Sequence, residues 1–257
     1  MAESASLGKV YLVGAGPGDI TYLTIQAKER LAIAQVLVYD ALVDERLLGW
    51  IPSTCRQIDV GKRGGQPSIA QAEINQILVR ECQQGHQVVR LKSGDPFIFG
   101  RVAAEISALK EAGCPFEVVP GLSSALTAPL LAGIPLTDPV LSRGFTVVTA
   151  HEPEHLNWNA LAQMETLVIL MGTRTLGDIV GQLQRHGRSP QTPIAIIRWA
   201  SQPQQTVWTG TLATIVQLTS RQPLSPAVIV IGEVVNLRPF LGAIAPASDP
   251  SCTEDTP

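Results

Sequence analysis

The sequence predicts an α/β fold of two domains, each on a mostly parallel sheet. Short β-branched runs alternate with helical patterns from Val10 to about Ile231, the mark of βα units. Apolar residues make up 45% of the chain and aromatics only 5%, which suits aliphatic sheet interiors. The rhythm breaks once, at Ile134–Gly144, where two prolines and a glycine leave no periodicity.

The first domain carries candidate strands at Val10–Val13, Val36–Tyr39, Gln57–Val60, Val88–Leu91 and Phe116–Val119. A helix is legible between the third and fourth. Ser68 and Gln71 are spaced as a capping box, Ile74, Ile77, Leu78 and Cys82 share a face, and Gly85 supplies the stop. The second set of strands is Phe145–Thr149, Leu167–Met171, Ile194–Arg198, Val207–Thr209 and Ala227–Ile231. The expected organisation is a first domain over residues 1–133, a linker over 134–144 and a second domain over 145–242. Residues 243–257, rich in Ala, Pro, Ser and Thr, are expected to form a disordered tail.

A net charge of −3 over 257 residues gives no field that would gather nucleic acid. Cys55, Cys82, Cys114 and Cys252 lack paired spacing, so a reducing cytoplasm is expected and a disulfide framework or zinc knuckle is not. The polar start Met1–Lys9 has no apolar leader stretch. No run approaches the roughly 20 apolar residues of a spanning helix, so no membrane partner is expected.

Five segments carry candidate chemistry. VGAGPGD (Val13–Asp19) follows a strand and Asp40 closes the next one, the outline of a dinucleotide fingerprint and hence of a nicotinamide- or flavin-dependent oxidoreductase. The spacing departs from that outline, because Asp19 puts an anion where a pyrophosphate belongs. HEPEH (His151–His155) spells a zinc signature, but Pro153 is comfortable only in a helix's first turn. His151 then falls outside the helix, the shared face is lost, and no metal is expected.

LKSGDPFIFGR (Leu91–Arg101) starts at a strand's carboxyl end, where parallel sheets bind ligands. Gly94 allows close approach to the backbone and Asp95-Pro96 fixes a turn. PGLSSA (Pro120–Ala125) also follows a strand, with Ser123 or Ser124 placed to cap a helix or to meet a ligand. VGKRGG (Val60–Gly65) is a basic glycine-rich loop, an anion site or a solvated turn. Arg56, Lys62, Arg63, Arg90, Lys92 and Arg101 are scattered surface charge or, if they converge, a cradle for a polycarboxylate.

In order along the chain, VGAGPGD, VYDALV, VGKRGG, RLKSGDPFIFGR, VPGLSSAL, AGIPLT, LVILMG and VIVIGEVV make the sequence resemble the uroporphyrinogen-III C-methyltransferases of the tetrapyrrole methylase superfamily. The match runs from about Val10 to Leu241. It implies two α/β domains with a cleft between them, assembled as a homodimer. It also implies S-adenosyl-L-methionine as methyl donor, S-adenosylhomocysteine as product, and methylation of uroporphyrinogen III at C2 and C7 to precorrin-2, for sirohaem or cobalamin. The implied cofactor contacts are Pro17, the backbone of Ser93, Gly94 and Asp95, then Ile98, Ser123, Ser124, Met171 and Ala200, with Ala227 beside them.

Under the same resemblance Asp40 matches the proton acceptor and Lys62 the proton donor, while Lys62, Arg63 and Arg101 would meet the substrate. Because a neutral sulfide leaves without a proton, positioning and desolvation should supply most of the rate. A lysine close to Asp40 would make it a weaker base, which favours Lys62 as a carboxylate anchor. Three departures stand out. Ser93 replaces a second glycine, Val102-Ala103-Ala104 replaces a more glycine-rich stretch, and Asp138-Pro139 replaces a histidine with a charged neighbour. A methylase of the same fold acting on a later corrin precursor is the nearest alternative.

Overall fold

The computed structural model describes residues 6–61 and 69–242. The chain divides into two compact units, the first ending at Ser124 and the second beginning at Ala125.

The first unit runs β1 (Lys9–Gly14), α1 (Ile25–Ala32), β2 (Val36–Tyr39), β3 (Arg56–Asp59), α2 (Gln71–Gln83), β4 (Gln87–Lys92), α3 (Val102–Glu111) and β5 (Phe116–Val119). Its strands are all parallel, in the order β3-β2-β4-β1-β5. Side chains alternate across the sheet. Val10, Leu12, Val38 and Val88 pack with Ile74 and Leu78 of α2 and Leu109 of α3, while Tyr11, Val13, Leu37 and Leu91 pack with Ala27 and Leu31 of α1. Cover on both faces explains why the inner strands β1 and β2 read as nearly continuous apolar runs. β1 leads on toward β2 and β4 toward β5, so loops leave these neighbouring strands in opposite directions, at the kind of switch point where such sheets bind ligands.

The capping box needs correction. Ser68 lies outside the described residues, and α2 begins at Gln71 itself with Ala70 at the cap and no side-chain bond there. Gln71 is therefore the first helical residue and not the third. Its amide donates to Asn75 Oδ1 at 3.0 Å and Glu105 Oε1 at 3.4 Å.

The second unit contains most of α4 (Ser124–Leu131), then β6 (Phe145–Thr149), α5 (Trp158–Ala162), β7 (Thr166–Leu170), α6 (Leu176–Arg185), β8 (Pro193–Arg198), β9 (Thr206–Thr211), α7 (Ile215–Leu218), β10 (Ala227–Ile231) and α8 (Arg238–Leu241). Its sheet order is β6-β7-β10-β8-β9. Here the expectation of a mostly parallel sheet fails: β6 and β7 are parallel, but β10 runs antiparallel to β7 and β8, and β9 antiparallel to β8. Only Trp199–Gln205 separates β8 from β9, too short for a parallel crossover of about a dozen residues. Ile169, Ile196 and Ile229 face α5 and α6, whereas Val168, Ile197 and Val230 face Ala125 and Ala128 of α4.

That packing of α4 is why the second unit starts earlier than the proline-broken segment suggested. The segment 134–144 is itself folded. Asp138 and Ser142 exchange backbone bonds of 2.8 and 3.1 Å, and the buried Ser142 hydroxyl meets Leu136 O, Gly144 O and Thr166 Oγ1 at 3.2, 3.0 and 2.7 Å. The N–H groups of Leu141 and Val140 donate to Asp138 and hold its carboxyl below the usual range. The expected tail over 243–257 lies outside the described residues. Among the described residues no helix is long and apolar enough to cross a membrane.

Candidate active site

Three loops at the carboxyl end of the first sheet meet backbone to backbone. Gly94, just past β4, exchanges hydrogen bonds with Gly16, just past β1: Gly94 N–H donates to Gly16 O at 2.7 Å, and Gly16 N–H returns one at 3.2 Å. A Cβ on Gly14 would stand 2.5 Å from Gly121 N, and one on Gly121 would stand 2.3 Å from Gly94 O. No side chain fits between these strands' ends. Asp95 ties the loops together, accepting from Phe97 N–H at 2.8 Å and Gly121 N–H at 3.1 Å.

Gly94 itself has φ +68°, and a Cβ there would find no atom nearer than 3.8 Å. Its N–H is engaged by Gly16, so what it offers a ligand is close approach. Positive φ among the described non-glycine residues is confined to Phe99, Arg101, Met171, Trp199 and Ser201, so serine at 93 carries no such strain. Beyond Gly94 the chain exposes Phe97, Ile98 and Phe99, an apolar edge at 63%, 44% and 43% exposure.

Asp40 follows β2 on the same end of the sheet. Arg90 Nη2 donates to its Oδ1 at 2.6 Å, and no hydrogen bond holds Oδ2 among the described residues. Arg90 is buried in β4. Its Nε donates to Glu105 Oε1 at 3.1 Å and its Nη1 to Leu91 O at 3.2 Å. Lys92 Nζ donates to the same Glu105 oxygen at 2.8 Å. Burial, then the nearby Arg90 charge, lowers the Lys92 ammonium below its ordinary value against the pull of Glu105. Period-2 alternation puts Arg90 and Lys92 on the face that α3 covers, where Glu105 lies buried in line with Val102 and Leu109.

Sequence reasoning held Arg90 and Lys92 as possible polycarboxylate anchors and missed Glu105. The structure corrects the first point, since both cations are buried on Glu105 and face away from solvent. A signal for the second was present: an acid standing in the apolar i, i+3, i+7 series of α3. Arg56 pairs instead with buried Glu81. Arg101 is exposed at the start of α3 with φ +55°, and no described residue pairs with it. Lys62 and Arg63 lie outside the described residues.

The remaining expected contacts sort by unit. Pro17, Ser93, Gly94, Asp95, Ile98 and Ser123 belong to loops past β1, β4 and β5 and Ser124 opens α4; Ser123 Cα and Ser124 N lie nearest the position of a Gly94 Cβ, at 4.0 and 3.8 Å. In the second unit Met171 follows β7 and Ala200 follows β8, while Ala227 pairs with Arg198 in register. Since β10 is antiparallel to both strands, those three residues gather at one end of that sheet. Met171, Trp199 and Ser201 hold φ of +57°, +50° and +70° there, strain of a kind that clusters at ligand sites. Only Met171 among these had drawn attention from sequence.

Two rival motifs resolve geometrically. Asp19 caps a three-residue turn, Ile20–Tyr22, by accepting from Thr21 N–H at 2.8 Å, and pairs with Arg46 at 2.7 Å. Burial pushes its carboxyl up, but the Thr21 hydrogen bonds and Arg46 outweigh this and leave it lowered. No long helix starts at the glycine loop; α1 waits until Ile25, capped by Thr24. At HEPEH, His151 precedes the short turn Pro153–His155, so the two histidines share no helical face.

A model of the Tetrapyrrole (Corrin/Porphyrin) Methylases matches residues 9–216. The chain is 63% identical to a uroporphyrinogen-III C-methyltransferase of Synechococcus elongatus, over 91% of this chain and 96% of that one. It is 43% identical to an S-adenosyl-L-methionine-dependent uroporphyrinogen III methyltransferase of Methanosarcina barkeri, over 93% and 96% of the two chains. The crystal structure of a uroporphyrin-III C-methyl transferase from Thermus thermophilus, complexed with S-adenosylhomocysteine, superimposes with a TM-score of 0.78 at 38% identity, over 90% of this chain and all of that one.

Proposed function

The chain belongs to the tetrapyrrole (corrin/porphyrin) methylases, and from that premise we propose that it methylates uroporphyrinogen III at C2 and C7, giving precorrin-2. The observation that carries this reading is the identity with the Synechococcus elongatus protein named for the reaction, which extends through nearly all of both chains. S-adenosyl-L-methionine, the methyl donor, supplies an electrophilic methyl on a sulfonium that leaves as a neutral sulfide.

The residues of this chain do the rest. The close approach that Gly94 allows and the exposed Ile98 suit an adenosyl group, with Pro17, Ser93, Asp95, Ser123 and Ser124 as its proposed contacts in the first unit. Met171 and Ala200 are proposed contacts from the second. Methyl transfer leaves the macrocycle cationic with a quaternary carbon at the methylated position, and Asp40 takes the proton that the macrocycle then loses from another position, using the oxygen that Arg90 leaves unbound. Lys62, Arg63 and Arg101 hold substrate carboxylates, with Lys62 as an anchor in preference to a proton donor. Under this reading the protein works as a cytoplasmic homodimer and feeds sirohaem or cobalamin synthesis.

The oxidoreductase reading loses its footing at the first loop, where the bridge from Gly16 to Gly94 and the capped turn after it leave no helix N-terminus for a pyrophosphate. Calorimetric titration separates the two. S-adenosylhomocysteine should bind, and NAD and FAD should not; binding of a dinucleotide with none of S-adenosylhomocysteine would reverse the assignment.

A further inference from the structure

Arg90 is a guanidinium with every nitrogen engaged and almost no contact with water. Its Nη2 holds Asp40 at 2.6 Å, its Nε holds Glu105 at 3.1 Å, and its Nη1 donates to Leu91 O at 3.2 Å and Val38 O at 3.5 Å. One end of this arrangement is fixed deep in the fold, because Glu105 is wholly buried. The other end is Asp40, whose side chain is 31% exposed.

The charges do not balance inside. Arg90 and Lys92 bring two positive charges against the one negative charge of Glu105, and among the described residues the surplus is met only by Asp40, just past β2. Glu105 is also bound asymmetrically. Its Oε1 accepts from Arg90, Lys92 and Gln71, while its Oε2 is buried with no partner among the described residues. Three donors on one oxygen fix the carboxylate's direction, and with it the direction of the guanidinium. Replacing a whole buried ion cluster by well-packed apolar residues is often neutral or stabilising, so the ions need a reason beyond stability.

We propose that Glu105 and Arg90 are positioning residues for Asp40: the buried carboxylate locks the guanidinium, which pins Oδ1 of Asp40 and leaves Oδ2 as the oxygen that receives the substrate's proton. This rests on the methyltransfer reading above. It adds that neither Glu105 nor Arg90 touches substrate or cofactor, and that both act through Asp40 alone.

The test is a double-mutant comparison on the full chain, with turnover of uroporphyrinogen III and affinity for S-adenosylhomocysteine measured separately. Arg90→Lys keeps the charge but loses the fork, and should lower kcat about ten- to a hundredfold while leaving cofactor affinity unchanged. In an Asp40→Asn background the same substitution should cost nothing further. Should Arg90→Lys fail to fold, Glu105→Leu combined with Lys92→Met removes one charge of each sign together with the acceptor that orients Arg90. It should show the same loss, again absent when Asp40 is Asn.

Unchanged kcat in the folded variants, or an equal loss with and without Asp40, would overturn the inference while leaving methyltransfer intact. A wild-type chain that transfers no methyl to uroporphyrinogen III would overturn both.

Discussion

The two sheets solve the same packing problem with different materials. Every fully buried charged residue among those described, Glu81, Arg90, Lys92 and Glu105, lies in the first unit; the buried polar residues of the second are hydroxyl-bearing Ser and Thr. The first sheet brings its loops together on glycines that allow backbone contact, at Gly14, Gly94 and Gly121. The second turns its strand ends with strained larger residues, Met171, Trp199 and Ser201. Buried charge is expensive and directional, whereas apolar packing is cheap and tolerant of repacking. The first unit therefore fixes orientations where proton transfer is proposed, and the second supplies shape.

Removing one member of the ionic cluster should break that contrast most sharply. Glu105→Ala leaves Arg90 and Lys92 buried without their anion, and should destabilise by about 3–5 kcal/mol, read from denaturant unfolding. Ile229→Ala, equally buried in the second sheet, should cost about 2–5 kcal/mol as a cavity. The sizes overlap, but the remedies differ. Adding Lys92→Met should recover part of the Glu105→Ala loss, and no change of charge should help the Ile229 variant.

Glycines sharpen the comparison next. Gly121→Ala drives a methyl into Gly94 O and should cost about 1–3 kcal/mol together with S-adenosylhomocysteine binding. Gly177→Ala in α6 meets nothing within 4 Å and should instead raise stability by about 0.5–1 kcal/mol. Thermal melts of both variants would show whether the close approach at Gly121 sets the cost of a methyl there.

The smallest effect concerns pH. Glu117 in β5 accepts from Lys9 at 2.7 Å and Arg30 at 2.9 Å, which hold its carboxyl below the ordinary glutamate value of 4.5 against some burial. A depressed folded value means stability that is complete above 4.5 and lost as pH falls through the folded value. Glu117→Gln should thus lower stability at neutral pH by about 1 kcal/mol or less, read from thermal melts, and converge on the wild type as the pH falls below the folded value.

Much of this was legible in the residues. The ten strands among the described residues overlap the expected positions, the inner ones most plainly, since burial on both faces leaves few polar residues to blur them. The direction of β10 was not legible, because an aliphatic run such as AVIVI has the same pattern in either orientation. The start of the second unit was missed for a related reason: Ala125 and Ala128 give α4 an apolar face without saying which sheet it covers. At the site, Gly94 and Asp95 could be read from a motif, but Trp199 and Ser201 could not, since only glycine advertises positive φ. Arg90 and Lys92 were visible as charges, yet their partner stood on the next helix, on a face whose direction the sequence alone did not fix.

The most direct test of the whole account is mass spectrometry of the macrocycle recovered after incubating the protein with uroporphyrinogen III and S-adenosyl-L-methionine carrying a labelled methyl. The account predicts a product bearing two labelled methyl groups on carbon. Recovery of unlabelled uroporphyrinogen, from protein that is folded and binds S-adenosylhomocysteine, would contradict it.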